Sequence, residues 1–124
     1  MKVKILLASL ALASCGASEA PTPTDSLTAQ ELAAGKDTFA KTCVLCHGAE
    51  GQGDGAASAG FDPKPRDLSD AAWQDSVDDE YISKIIQYGG GAVGKSPAMP
   101  ATPLLKGKPK VLKALVAHVR SLKK

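Results

Sequence analysis

The chain has 124 residues, room for one small domain and too little for two. Its 15 basic and 13 acidic residues leave a net charge of +2, and no basic–aromatic pattern accompanies them, which argues against a nucleic-acid-binding surface. One Trp, two Tyr and two Phe make a thin core for such a domain, a deficit that a large apolar group at its centre would repair.

The first segment carries Lys2 and Lys4, then an apolar run from Ile5 to Ala13. This has the form of a secretory signal, and the run falls far short of the roughly 20 residues a bilayer-spanning helix needs. Leu12-Ala13-Ser14-Cys15 resembles the lipobox of bacterial lipoproteins, which implies cleavage before Cys15 and lipidation of its sulfur. Ordinary cleavage nearby would instead leave Cys15 as a free thiol or disulfide partner. Residues 16–26, GASEAPTPTDS, lack an apolar period and read as a tether. The expected organisation is a signal over 1–14, a lipidated Cys15 and tether over 15–26, and a domain over 27–124. Acyl chains on Cys15 would hold an exported protein at the periplasmic face of a bacterial membrane or at the outer surface.

Within the domain, Thr28-Ala29-Gln30-Glu31 has the form of a capping box and opens a helix. Leu32, Gly35, Phe39 and Cys43 recur along one face of it. A mid-helix glycine costs about 1 kcal/mol relative to alanine, so Gly35 predicts a second backbone crossing close by, with a neutral surface glycine as the alternative. Residues 48–60 are a glycine-rich loop, prolonged by Pro63 and Pro65, with Leu68 and Trp73 as apolar anchors. Ser76 is the expected cap of a second helix with Asp78, Asp79 and Glu80 in its first turn. Its apolar stripe is Tyr81, Ile82, Ile85 and Ile86, and Gly89-Gly90-Gly91 ends it. After a proline-rich loop over 92–110, a last helix runs from Pro109 to Leu122. Val111, Leu115, His118 and Leu122 share one of its faces, flanked by Leu112 and Val119. With no strand pattern, the fold class is all-α.

Cys43-Val44-Leu45-Cys46-His47 is a CxxCH sequence. Two thiols one turn apart can each add to a haem vinyl group, and the adjacent His47 then faces the iron as an axial ligand. A redox dithiol should sit near a βαβ unit, which the pattern lacks. A zinc site needs four ligands, and only Cys15 and His118 remain to complete one. The only methionines are Met1 and Met99, so a thioether ligand has to be Met99. Pro97 and Pro100 stiffen its loop, and a sulfur ligand raises the reduction potential, as an electron carrier requires. His118 is the rival ligand, with a buried core histidine as the alternative for it.

The segments GKDTFAKTCVLCHG, PKPRDL, YISKIIQYGG, AMP and LVAHVRSL together resemble the class I bacterial c-type cytochromes. The resemblance implies three to five helices wrapped on one covalent haem c and single-electron transfer between redox partner proteins, without catalysis. It also implies that the first and last helices cross at a small residue and an aromatic. Gly35 matches the former, whereas His118 stands where the aromatic is usual. A loop proline carbonyl, from Pro63 or Pro65, would hold the His47 ring proton and set its tautomer. Trp73 is a candidate haem contact. The alternative function is a haem-based sensor or peroxidase-like enzyme with a displaceable Met99, which would need a distal acid–base residue.

Gly89-Gly-Gly-Ala-Val-Gly94-Lys95-Ser96 fits the phosphate-loop pattern, but the preceding segment is helical and Pro97 blocks a following helix. No nucleotide site is expected. Beyond the signal, every acid lies at or before Glu80, and nine bases follow it. The two parts carry formal charges of −9 and +9. A basic loop around Met99 would then meet an acidic docking patch on a redox partner; the alternative is that folding interleaves the two parts and the lysines are a solvated surface.

Overall fold

The structure is a computed structural model that describes residues 26–124. The expected signal over 1–14, the lipidation site Cys15 and the tether as far as residue 25 lie outside the described residues. The rest is helical, with no strand among the described residues: α1 (Ala29–Thr42), α2 (Val44–His47), α3 (Ala71–Ser76), α4 (Asp79–Tyr88) and α5 (Pro109–Ser121). Short 3₁₀ turns occupy Ser58–Gly60, Gly90–Val93 and Pro103–Leu105.

The capping box opens α1 as expected. The Glu31 N–H donates to the Thr28 hydroxyl at 3.2 Å, and the Thr28 N–H donates to the Glu31 carboxylate at 2.8 Å. The helix ends at Cys43, whose N–H still donates to the Phe39 carbonyl.

α1 and α5 cross at Gly35. A Cβ built there would lie 2.4 Å from the Ala114 carbonyl carbon and 2.6 Å from the Leu115 nitrogen. Two backbones meet with no room for a methyl group, which is the close crossing that a mid-helix glycine foretells. α5 enters on Pro109, whose missing N–H costs nothing in a first turn. Its buried residues are Leu112, Ala114, Leu115, Val116 and Val119. His118 is only half-buried, its ring edge-on to Phe39.

Ser76 is not the cap of the Asp79–Tyr88 helix. It ends α3, a turn of helix the periodicity does not announce, with its hydroxyl bonded to the Trp73 carbonyl. Asp70 starts α3 by accepting from the Ala72 and Trp73 N–H groups, and Asp78 caps α4 by accepting from Tyr81 at 2.7 Å.

One side chain joins α3, α4 and α5. The Arg120 guanidinium donates to the Gln74 carbonyl and side chain, to the Val77 carbonyl and to Asp79. The buried Gln74 amide in turn donates to the carbonyls of Leu68 and Val119, each at 2.8 Å. Around these polar ties Phe39, Leu68, Ile82, Ile86, Leu105, Leu112, Leu115, Val116 and Val119 form one core.

The fold interleaves the two charge blocks. Lys110 pairs with Glu31, Arg120 with Asp79, Lys123 with Asp75 and Lys124 with Glu50. No helix among the described residues is long and apolar enough to cross a membrane.

Candidate functional site

α2 is one turn long and carries most of the CxxCH motif. The glycine loop behind it holds the turn by its own carbonyls. The N–H groups of Ala57, Gly55 and Gly53 donate to Leu45, Cys46 and His47 at 2.9, 3.1 and 2.8 Å. Those carbonyls would otherwise be unpartnered at a helix end. The motif is therefore fixed from the side opposite its thiols.

On the thiol side lies a cavity of about 470 Å³, its wall largely apolar. Cys43, Cys46, His47 and Met99 all line it, together with Pro63, Pro65 and Trp73. Apart from the rival ligand His118, each described residue that the sequence marks for the site thus reaches one chamber. Ile82, Ile85 and Ile86 of α4 and Leu115 and Val119 of α5 complete the wall. His118 is not part of the lining, and its ring packs on Phe39 instead, so it is no candidate ligand to a group in this chamber.

His47 is buried, and the Arg66 carbonyl lies 2.9 Å from its Nδ1. With Nδ1–H donating to that carbonyl, Nε2 is left as a free lone pair. Burial holds the imidazole below its usual pKa and so favours the neutral ring, an effect the Arg66 hydrogen bond offsets only in part. The expected carbonyl of Pro63 or Pro65 is corrected to that of Arg66. The Pro65 carbonyl faces the glycine loop, where a Cβ on Gly53 would meet its oxygen at 2.4 Å. The next carbonyl along the chain points the other way, towards the imidazole. A backbone acceptor leaves no trace in side-chain identity, and only its place just past Pro65 narrows the choice.

Burial, followed by the neighbouring Cys46, pushes the Cys43 thiol up to about 11. A catalytic dithiol needs a thiolate near neutral pH, a form that burial disfavours at Cys43. No group of three or more His, Cys, Asp or Glu able to hold a metal ion occurs among the described residues. What remains is a pair of thiols and a neutral imidazole lone pair on one part of an apolar chamber, with a thioether in its lining as well. That donor set suits a planar, apolar, iron-bearing macrocycle joined through thioethers.

Met99 is held by the glycine run that ends α4. The Gly90 N–H donates to the Met99 carbonyl at 3.0 Å, and a Cβ on Gly90 would lie 2.1 Å from the Ser96 oxygen. Gly89 takes φ +82°. The phosphate-loop likeness dissolves here. The Gly90, Gly94 and Lys95 amides donate to the carbonyls of Met99, Gly91 and Gly90, leaving no cradle of amides for an anion.

A family model described as Cytochrome c matches residues 32–123. Among solved structures, the chain is similar to the KustC0563 c-type cytochrome at 32% identity and a TM-score of 0.54. That match covers 73% of this chain and 98% of the other. No curated protein matches.

Proposed function

The chain belongs to the cytochrome c family, and from that premise we propose that it is a membrane-tethered, single-haem electron shuttle with His47 and Met99 as axial ligands. Cys43 and Cys46 would hold haem c, whose iron would supply one-electron redox chemistry. The observation carrying the ligand set is that both thiols, the neutral imidazole and the only methionine of the described chain line one chamber.

Within that reading, His47 presents Nε2 while Arg66 fixes its ring orientation, and the Met99 loop is held to the end of α4 by Gly90. The apolar isoleucine wall excludes water from the chamber, which holds the charge states of the iron apart from solvent. A sensor or peroxidase-like enzyme would need an acid–base residue on the distal side. The only other histidine lies outside the lining, and Asp67 accepts from the Ser69 N–H and hydroxyl. These facts favour the carrier.

Two finer points complete the proposal. Cys15, lipidated, would anchor the protein at the periplasmic face of a membrane or at the outer surface. The partners would be redox proteins with an acidic patch. Lys64 and Lys95 line the chamber, and Lys84, Lys95, Lys106 and Lys108 make no ion pair among the described residues.

The test is an oxidised visible spectrum of the haem-loaded protein. A weak far-red band from sulfur-to-iron charge transfer is expected in the parent and absent in Met99→Ala. Its absence from the parent would sink the ligand set and favour the sensor.

A further inference from the structure

Asp70 lies outside the chamber lining, yet its carboxylate is bonded to Arg66 and Trp73, two residues of the wall that also holds His47. One oxygen, Oδ1, accepts from the Ala72 N–H at 2.9 Å and the Trp73 N–H at 3.3 Å, and so starts α3. The other, Oδ2, takes the Arg66 guanidinium at 2.6 Å. That guanidinium sits 5.6 Å from the centre of the Trp73 ring, close enough for a cation–π contact. Trp73 and Arg66 both line the chamber. The Arg66 carbonyl is the partner of His47 Nδ1. From one carboxylate the constraint runs through a helix start and a side chain to the carbonyl that orients the ring.

We propose that Asp70 is a positioning residue for the proximal histidine, holding the Arg66 carbonyl against His47 by clamping the Arg66 side chain to the start of α3. The proposal rests on the axial-ligand reading given above. Fixing the guanidinium at two places, on Oδ2 and over Trp73, leaves the Arg66 backbone little freedom to turn its carbonyl away. A firmly held acceptor on Nδ1–H makes the imidazole a better donor at Nε2, which favours ferric over ferrous iron. Loosening it acts in the opposite direction. The arrangement also places a balancing negative charge beside Arg66, so losing the carboxylate favours ferrous iron by charge as well.

The experiment compares haem-loaded parent with Asp70→Asn and Asp70→Ser. Both replacements remain good helix caps but cannot form the ion pair. Two quantities are read: the reduction potential, and the solvent-exchange rate of the His47 ring N–H by NMR. The expected result is an upward shift in potential together with faster ring N–H exchange in both variants, with the far-red band retained. A raised potential with unchanged exchange would overturn the proposal, because Asp70 would then act through its charge alone. Unchanged potential and exchange would overturn it equally. Loss of the far-red band from the parent would remove the axial-ligand reading and this proposal with it.

Discussion

The ring of His118 stands edge-on to Phe39, with centroids 4.7 Å apart and planes inclined at 67°. Phe39 is buried in the core and lines the chamber, so the imidazole closes one side of the α1–α5 crossing without entering the site. A polarisable, titratable ring thus occupies a place where the family resemblance implies an aromatic.

Burial, and then the positive charge of Lys36, hold His118 below the ordinary imidazole range. Its folded pKa is therefore below its unfolded value of about 6.5, and the unfolded chain binds the extra proton. Stability should rise with pH across that window and fall as pH drops below about 6.5. His118→Phe lacks this proton, so its stability advantage over the parent should widen between pH 8 and pH 5. Urea unfolding midpoints at the two pH values read this directly. A pH-independent gap would mean that His118 does not titrate with folding.

Gly35→Ala places a methyl carbon 2.4 Å from backbone carbon of Ala114, which cannot rotate aside as a side chain could. The helices must separate, and overpacking of this kind costs about 3 kcal/mol. Denaturant unfolding of the haem-loaded variant gives the number. A loss below about 0.5 kcal/mol would mean that the crossing is looser than described.

Gly90→Ala drives a methyl group into the Ser96 carbonyl at the base of the Met99 loop. The expected outcome is selective. Haem should still attach at Cys43 and Cys46, because that turn is held by a different loop, while the far-red band weakens or disappears. Equal loss of haem attachment would refute the division of labour between the two loops.

Charge reversal separates paired from unpaired lysines. Lys95→Glu with Lys106→Glu should slow electron transfer to an acidic partner at least tenfold at low ionic strength and flatten its salt dependence. Lys123→Glu, whose parent lysine is already paired with Asp75, should change it much less. Stopped-flow rates over a salt series decide the matter, and equal effects would remove the docking assignment.

Much of this was readable from residue order. The capping box at Thr28, the crossing at Gly35, the isoleucine stripe of α4 and the convergence of Cys43, Cys46, His47 and Met99 all rest on local spacing or on scarcity of a residue type. The acceptor for His47 was not readable, because a backbone carbonyl belongs to every residue and its direction depends on how residues 63–66 lie against Gly53. α3 leaves no periodic signal because it is six residues long and Asp70, its start, precedes no apolar repeat. The charge blocks are separate in sequence, yet α5 and the two lysines after it return bases to acids on α1, the glycine loop, α3 and α4. Only the fold sets that pairing.

The Arg120 clamp has a consequence for speed. By bonding the ends of α3 and α4 from a position on α5, one guanidinium makes the walls bearing Trp73, Ile82 and Leu115 parts of a single frame. A centre that gains and loses one electron must wait for any surrounding atoms that rearrange with it. Walls tied into one frame would leave less of that rearrangement to wait for, because the dipoles they carry are held in place. Seen this way, an arginine outside the chamber lining would help keep the nuclear barrier to electron transfer low.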